Sequence, residues 1–505
     1  MNPGKRSLQD ISVQYIESSA DNERLDSHHH KICLCPLLDS SKRSKKDPSN
    51  AKLECIDTFP LSYAQQSLWS LYQGLPANHL NNMALTLRIR SRIDISSLRD
   101  AFKEIVARHP ALRTTFTTNN GEPLQRVHLE QEVYFESVDT SHFNWNERKK
   151  HIKQVSQRPF NLEQGPLIRM HLFSSSEQDH ILLVTIHPMV FDTWSLLIFL
   201  DELRVLYSAQ KNGSCGFLLP ESRSYADYFL WQMNMLSGPK GEQLRSYWRD
   251  KLAGDLPEHN LPAINPQPDA QGHQKERFTF ELDKELTQNL KAVSRMWGKS
   301  VYITILAAFY ILLHQQTGEN EILVGHPAEG RGKPEFSRTI GNFMNPVILR
   351  QYISGDPSFK RFLNSVHQTV FEALRHQDFP FPLMIKRLQP DCDSRHFLRF
   401  MFGINPLEEL MNIKGPEQKG SWIHWEELEL KAFELPQQEG AFDLALEMMD
   451  MNEIFYMTFK YKANLYNQNS IRQLAGHFLA LLNGIVTDPL QHLSQMPLMT
   501  GIAPE

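Results

Sequence analysis

The sequence lacks long apolar runs, and this absence bears on where the protein works. No uninterrupted run reaches the roughly 18 apolar residues that a bilayer-spanning helix needs, and the opening residues MNPGKRSLQD contain no apolar segment of a secretory signal. Cysteine is also scarce: the five cysteines are an odd number, and no CxxC pair occurs. A disulfide framework is therefore not expected. We expect a cytoplasmic protein with no membrane partner.

Several familiar sites are absent as well. The net charge of −5 gives no overall basic field, so we expect no nucleic acid partner. The chain has no GxSxG elbow, Walker loop, GxGxxG or HExxH segment, so the usual hydrolase, nucleotide and zinc-protease sites have no support. The stretch HHHKICLC (28–35) gathers histidines and thiols, but its spacing matches no known metal site. We predict that no metal is bound.

What the chain does contain is a regular alternation of strand and helix patterns, which predicts an α/β fold. At 505 residues it is too long for one ordinary core. Residues 1–55 show neither a period of 2 nor a period of 3.6, and they predict a disordered tail. A long helical segment at about 224–251 leads into the proline-rich connector LPEHNLPAINPQPDAQG. This connector predicts a boundary between an N-terminal lobe at 56–255 and a C-terminal lobe at 256–505, which ends in the start of a linker.

The segment TIHPMVFDTWS (185–195) stands out within the first lobe. It follows HILLVTIH (180–187), a nearly all-apolar run typical of a strand buried on both faces, and it leads into an amphipathic helix at 193–210. A histidine at such a strand end is a hydrogen-bonded core residue, a catalytic base or the remnant of one. Asp192 can fix the tautomer and orientation of a nearby histidine. The His-x4-Asp spacing alone does not decide among the three.

Nine segments, taken together and in order, resemble motifs of the condensation domains of nonribosomal peptide synthetases. They are LSYAQQSLW (61–69), RHPALRTTF (108–116), FNLEQGPLIRMHLF (160–173), SYADYFLWQ (224–232), IGNFMNPVILR (340–350), HQDFPF (376–381), SRHFLRFMF (394–402), AFDLALEM (441–448) and HFLALLNGIVTDPLQHLSQMPLMT (477–500). Within these nine segments, three departures from the family pattern stand out. Ser67 stands for the usual arginine, Pro110 for a glutamate and Pro346 for a threonine.

The resemblance covers roughly residues 57–500 and implies a fold and a reaction. The fold would be two chloramphenicol-acetyltransferase-like lobes that form a V-shaped pseudo-dimer with a central tunnel. Substrates would arrive as acyl or aminoacyl thioesters on the phosphopantetheine arms of peptidyl or acyl carrier proteins or other synthetase modules. The reaction implied is attack of an acceptor amine on the donor thioester, which gives an amide. No cofactor would be bound directly.

The active-site motif of this family is HHxxxDG, and counting back from Asp192 aligns it with this chain. His187 is then the first histidine, Pro188 stands where the family has its catalytic second histidine, and Thr193 replaces the glycine. Proline has no side-chain donor or acceptor, so it cannot position or deprotonate an amine. Because adjacent strand residues point to opposite faces, we expect His187 to face the lobe interior. A one-residue bulge would instead turn His187 toward the tunnel as a substitute catalyst.

The resemblance also assigns roles to residues around this motif. Asp192 would form a structural salt bridge with an arginine, for which Arg277 in the strand ERFTFEL is our candidate. Thr193 and Asn345 would line the substrate tunnel, where the Asn345 amide could bind a substrate carbonyl or amide. Glycine after the aspartate tolerates positive φ, whereas a β-branched threonine does so poorly, and we therefore expect Thr193 to distort the turn. The other histidines in matched segments, His326, His376 and His396, have no feature that directs them to this site.

Three functions stay open from the sequence. The first is a degenerate condensation domain, a pseudoenzyme that binds carriers, acyl chains or tailoring enzymes with weak or no amide-bond formation. The second is an active acyltransferase that joins an acyl thioester to an amine or alcohol with altered residues. The third is a non-catalytic scaffold for an assembly-line or unrelated partner.

Overall fold

Two six-stranded sheets organise the chain, and the predicted α/β fold is confirmed. The computed structural model describes residues 55–74, 82–214, 216–219, 223–257, 275–388, 397–404, 422–425, 427–432, 442–451 and 453–497. The predicted disordered tail and the histidine–cysteine stretch at 28–35 lie outside the described residues. Cys55 is the exception, because it begins the first strand.

The N-terminal lobe contains a six-stranded sheet and a smaller three-stranded one. The strands of its half of the chain are β1 (Cys55–Pro60), β2 (Met83–Ile89), β3 (Thr114–Asn119), β4 (Glu122–His128), β5 (Tyr134–Asp139), β6 (Ile168–Ser176) and β7 (Asp179–Ile186). The small sheet has the order β1-β4-β3. In the large sheet β7 lies between β2 and β6 and is antiparallel to both. This central place explains why β7 is buried along nearly its whole length and why its middle residues, Ile181–Val184, are all apolar.

Among the residues described for this half, six helices accompany these strands. They are α1 (Tyr63–Gly74), α2 (Ile95–Arg108), α3 (Trp145–Ser156), α4 (Thr193–Lys211), α5 (Tyr225–Ser237) and α6 (Pro239–Lys251). Local capping residues begin several of them: the Asp94 side chain accepts the Ser97 N–H at the start of α2, and Asp192 does the same for Ser195 at the start of α4. The segment predicted as one long helix at 224–251 is two, since Gly238 ends α5 and Pro239 begins α6.

The second half of the chain supplies a six-stranded sheet of its own and a separate hairpin. Its strands are β8 (Lys275–Leu282), β9 (Glu321–Ala328), β10 (Asn345–Tyr352), β11 (Phe400–Ile404), β12 (Ile423–Trp425), β13 (Leu428–Ala432), β14 (Leu444–Asp450) and β15 (Phe455–Lys462). The sheet of the C-terminal lobe has the order β10-β9-β11-β14-β15-β8. The hairpin is formed by β12 and β13, which are antiparallel.

In the described parts of the second half, five helices accompany the C-terminal sheet. They are α7 (Lys284–Met296), α8 (Val301–Thr317), α9 (Phe359–Arg375), α10 (Phe381–Leu388) and α11 (Gln468–Thr487). The helix α8, apolar on all sides, is buried along nearly its whole length, as that pattern predicts.

The two halves of the chain exchange elements across the predicted boundary near residue 255. The hairpin β12–β13 of the C-terminal half pairs with β2 and extends the N-terminal sheet. In the other direction, Leu244 and Trp248 of α6 and the adjacent Leu252 pack in the core of the C-terminal lobe. Within the described residues, no single helix is long and apolar enough to cross a membrane.

Candidate functional site

The segment after β7 forms a tight turn at the meeting point of the two lobes. The strand ends at Ile186, a single 3-10 turn follows over Pro188–Val190, and Asp192 caps α4 by accepting the Ser195 N–H at 2.8 Å. Proline at the first position of such a turn is favourable, since its fixed φ suits the turn and the N–H that it lacks has no partner there. The sequence thus builds a strand, a turn and a helix start in eleven residues.

His187 lies in the interior of the N-terminal lobe. Its side chain is 2% exposed, and its ring meets that of Phe160 edge to face at 6.0 Å. The Met189 N–H donates to Nδ1 at 3.2 Å, so the neutral ring carries its proton on Nε2. Burial lowers the pKa of His187 to about 4. A group with this pKa is neutral at pH 7 but is a weak base.

Pro188 and Thr193 occupy the two substituted positions of the motif. Pro188 is half-buried and brings no titratable group to the turn. Thr193 is exposed and is the first residue of α4, with ordinary helical backbone. The expected distortion at Thr193 is therefore wrong: among the described residues, Asn120 is the only non-glycine residue with positive φ. Because Asp192 already ends the turn as a helix cap, position 193 does not require the conformation that favours glycine.

Asp192 joins the lobes through a buried ion pair with Arg331. The Arg331 guanidinium donates to both carboxylate oxygens, at 2.7 and 3.1 Å, and both side chains are 3% exposed. The Phe343 N–H donates to the same carboxylate at 2.9 Å. Arg331 also lies over the Phe343 ring, 4.1 Å from its centroid. We call Asp192, Ser195, Arg331 and Phe343 the clasp.

The predicted partner of Asp192, Arg277, is corrected to Arg331 by this geometry. Arg277 lies on β8, opposite Lys460 of β15, at the far edge of the C-terminal sheet from β10. Arg331 follows β9, which neighbours β10, and this end of the sheet faces the start of α4. The sequence signal that could have identified it is the segment AEGRG directly after the predicted strand EILVGHP.

Ser195 and Tyr225 extend the clasp along the second-lobe segment that precedes β10. Ser195 Oγ donates to the Gly341 carbonyl at 2.9 Å and accepts the Gly341 N–H at 3.0 Å. The Tyr225 hydroxyl donates to the Asn342 carbonyl at 2.7 Å and lies 2.8 Å from Ser62 Oγ. Gly341 packs so closely on the Tyr225 ring that a Cβ would come within 2.2 Å of it. These residues were missed from the sequence because contacts across more than a hundred residues leave no spacing pattern.

Gln65, in the first matched motif, supports the turn from α1. Its amide donates to the Met189 carbonyl at 3.0 Å, and its side-chain oxygen accepts the Ser62 N–H at 3.0 Å. Gln65 is 1% exposed and, with Val190 and Tyr225, lines a small cavity beside the turn. The motif at 61–69 therefore holds the turn in place and presents no acid or base to it.

Asn345, expected to offer its amide to a substrate, uses that amide within the protein. Its Nδ2 donates to the carbonyls of Gln377 and Phe379, at 2.7 and 2.8 Å. Its Oδ1 accepts the Phe381 N–H at 2.8 Å. Both donors and the oxygen are thus committed to the HQDFPF loop (376–381), and Asn345 orders that loop at the start of β10.

The other histidines of matched segments also have internal partners. His326 is buried on β9, its Nδ1 lies 2.6 Å from the Tyr302 hydroxyl, and burial lowers its pKa to about 4. His376 stacks on the Tyr247 ring at 3.7 Å. His396 lies outside the described residues. The turn at 187–192 thus has, in the described part of the chain, one acidic side chain engaged in an ion pair and one buried histidine.

Comparisons with known proteins identify relatives of this arrangement. The family model for the condensation domain matches residues 56–502. A linear gramicidin synthase of Brevibacillus parabrevis is 33% identical over 451 residues, which are 87% of this chain and 6% of that protein. Malpinin synthetase of Mortierella alpina is 29% identical over 449 residues, again 87% of this chain and 6% of the relative. The chain therefore spans only a small part of the length of these curated relatives.

Solved structures share the fold at lower identity. The X-domain from teicoplanin biosynthesis, solved in complex with OxyB, superposes with a TM-score of 0.75 at 22% identity and covers 90% of this chain and 98% of that one. The four-domain nonribosomal peptide synthetase AB3403, in its holo form with AMP and glycine, gives a TM-score of 0.77 at 19% identity, over 90% of this chain and 35% of that one. At these identities the likeness supports the fold alone. It confirms the two-lobed, chloramphenicol-acetyltransferase-like architecture that the motifs implied.

Proposed function

Because the chain belongs to the condensation-domain family of nonribosomal peptide synthesis, we propose that it binds carrier-tethered acyl or aminoacyl thioesters between its lobes and forms amide bonds weakly or not at all. Peptidyl or acyl carrier proteins, or other synthetase modules, would be its partners in the cytoplasm. Their phosphopantetheine arms would deliver the substrates, and no cofactor would be held by the chain itself. The curated relatives are named as a linear gramicidin synthase and a malpinin synthetase, and membership in the condensation-domain family supports this class of partner.

The observation that carries the proposal is the composition of the turn after β7. Amide formation needs a group that titrates near neutrality within hydrogen-bond reach of the attacking amine. Pro188 supplies no such group, and His187 is buried with its Nδ1 occupied and its pKa lowered to about 4. Asp192 is engaged by Arg331 and two backbone N–H groups. The turn therefore keeps its architecture while it lacks a side chain suited to proton transfer.

The clasp and the HQDFPF loop keep the walls of the site in place, which a binding role requires. The Asp192–Arg331 pair still joins the lobes, and Asn345 still orders the HQDFPF loop. A site whose walls are held this closely can bind a substrate even where it does not transform it. Binding is therefore the activity that we expect to survive the substitution at 188.

A transfer assay with loaded carrier proteins tests the proposal. Carriers bearing an acyl donor and an aminoacyl acceptor are mixed with the protein, and the amide product is followed by mass spectrometry. We expect wild-type protein to give little or no product above the protein-free background. Pro188→His should raise the rate, since a general acid–base group typically contributes about 10²–10⁴-fold. Titration with the same loaded carriers should detect binding by wild-type protein and by the variant.

His187→Ala in the wild-type background is the control that separates the open alternatives. If wild-type protein forms amide, and this variant abolishes the activity without lowering the unfolding midpoint, His187 is the catalyst and the active acyltransferase hypothesis replaces ours. If neither loaded carrier binds to wild-type protein, the scaffold hypothesis replaces it. Pro188→Ala is the matched variant that changes the backbone at 188 without adding a base, and it should remain inactive.

A further inference from the structure

A second buried charge cluster connects α4 with the segment that joins β9 to β10. Glu202 of α4 is completely buried, and its carboxylate lies 2.7 Å from His109 Nε2 and 3.3 Å from Arg108 Nε. A second arginine, Arg338, comes from the second half of the chain and lies 3.5 Å from Glu202 and 3.2 Å from Asp201. This cluster does not touch the turn at 187–192, so the proposed function does not account for it.

Arg338 belongs to a segment, residues 331–343, that we call the strap. Three apolar side chains of the strap, Phe336, Ile340 and Phe343, are buried in the core of the N-terminal lobe. The strap continues directly into β10 and follows shortly after β9, both of which belong to the C-terminal sheet. Like the hairpin β12–β13, the strap is therefore a part of the C-terminal half of the chain that lies within the N-terminal lobe.

We infer that Glu202 is a positioning residue that sets the direction of the strap along α4, and with it the placement of the second lobe on the first. The clasp fixes the strap at Asp192, the first turn of the helix. Glu202 lies ten residues further on, about 15 Å along the axis at 1.5 Å per residue. The clasp holds the two ends of the strap, Arg331 and Phe343, at the start of α4, whereas the contact of Arg338 with Glu202 holds its middle further along the helix. The inference goes beyond the proposed function and does not depend on catalysis.

The charges of the cluster explain why Glu202 is suited to this role. A buried carboxylate is tolerated only where cations and hydrogen bonds compensate for the lost hydration. Burial raises the pKa of Glu202, but the hydrogen bond from His109 and the charges of Arg108 and Arg338 outweigh it and hold the pKa below its usual value. Arg338 in turn has Glu202 and Asp201 as its acidic neighbours. The strap therefore has a strong electrostatic reason to stay in this register on α4.

Hydrogen exchange of strap amides tests the inference on the full chain. The Gly341 and Phe343 N–H groups donate to Ser195 and Asp192, so their exchange reports on how firmly the strap lies on α4. In Glu202→Gln we expect exchange in the strap peptide to be at least about tenfold faster than in wild type. Arg338→Met should produce a similar acceleration, because it removes the same contact from the other side.

Four controls separate positioning from general stabilisation. Arg338→Lys keeps the cation and should restore most of the protection that Arg338→Met loses. Asp201→Asn alters a half-exposed carboxylate that contacts the same arginine, and it should change strap exchange less than threefold. Arg338→Met should leave the exchange of α2 unchanged, since Glu202 still has His109 and Arg108 beside it. The double variant Glu202→Gln with Arg338→Met should loosen the strap no more than Glu202→Gln alone.

Two results would overturn the inference. One is strap exchange within twofold of wild type in both Glu202→Gln and Arg338→Met. The other is an acceleration of α2 as large as that of the strap in Arg338→Met, which would mean that the cluster only stabilises the N-terminal lobe. Should Glu202→Gln fail to fold, Arg338→Met and Arg338→Lys decide the matter, because Arg338 is 15% exposed and its loss leaves Glu202 compensated.

Discussion

Removal of the Asp192 carboxylate should lower the free energy of unfolding more than almost any other change at the candidate site. Asp192 accepts four hydrogen bonds: two from Arg331, one from the Phe343 N–H and one from the Ser195 N–H. In Asp192→Ala the Arg331 guanidinium stays buried without its counter-ion, which costs about 3–5 kcal/mol. Loss of the helix cap adds about 1 kcal/mol. The total of about 4–6 kcal/mol is a large share of the roughly 5–15 kcal/mol that stabilises a typical protein.

Urea unfolding followed by tryptophan fluorescence measures this change. The matched control is Glu177→Ala, which removes the acidic partner of Arg92 from a pair that is more than three-quarters exposed and should shift stability by no more than about 1 kcal/mol. The double variant Asp192→Leu with Arg331→Met should be more stable than either single variant, since it leaves no uncompensated charge. A loss below about 1 kcal/mol in Asp192→Ala, or additive losses in the double variant, would refute the clasp as the main polar contact between the lobes.

Two further predictions follow from the buried groups. Burial lowers the pKa values of His187, His326 and the buried His171 of β6 to about 4, below the ordinary 6.5 that they regain on unfolding. As the pH falls, the unfolded chain therefore takes up protons before the folded protein does. The stability that these histidines contribute is complete above pH 6.5 and should fall as the pH drops toward 4, by up to about 3 kcal/mol per histidine. Urea midpoints that stay constant between pH 7 and pH 4.5 would contradict this. Gly341→Ala should destabilise the protein by about 1–3 kcal/mol because the new Cβ meets the Tyr225 ring. The matched control is Gly476→Ala in α11, where a Cβ has nothing within 4 Å, and it should stabilise the protein by up to about 1 kcal/mol. Equal shifts in the thermal unfolding midpoint of the two variants would argue against the close packing at Gly341.

The sequence predicted those parts of the fold that depend on local patterns. The buried strand β7 and the helix α4 were predicted within a residue or two, because hydrophobic periodicity and a capping aspartate act over short distances. The exchange of elements between the lobes was not predicted. The hairpin β12–β13 pairs with a strand more than 300 residues away, and no local pattern records such a pairing.

At the candidate site, too, the sequence predicts local patterns and does not predict long-range contacts. The register that places Pro188 at the motif's second histidine came from counting residues, and it needs no knowledge of contacts. The prediction of Arg277 as the partner of Asp192 was wrong because strand order decides which arginine is near. Arg277 lies on β8, at the opposite edge of its sheet from β10. The predicted contact of the Asn345 amide with a substrate was wrong, because this amide is hydrogen-bonded to the backbone of a loop 32–36 residues further along the chain.

Asp192 and position 188 of the motif at 187–193 have different roles, and position 188 can therefore change while Asp192 stays. Replacement of Asp192 would leave the buried charge of Arg331 without its counter-ion, so the stability of the fold alone is a reason to keep Asp192. Position 188 has no such constraint. It opens a 3-10 turn, where proline's φ is already suitable and its missing N–H has no acceptor to lose, and its side chain is half-buried. Exchange of histidine and proline at 188 should therefore alter the chemistry of the turn and leave the unfolding free energy within about 1 kcal/mol. A larger shift in Pro188→His would mean that the proline has a structural role which the turn geometry does not reveal.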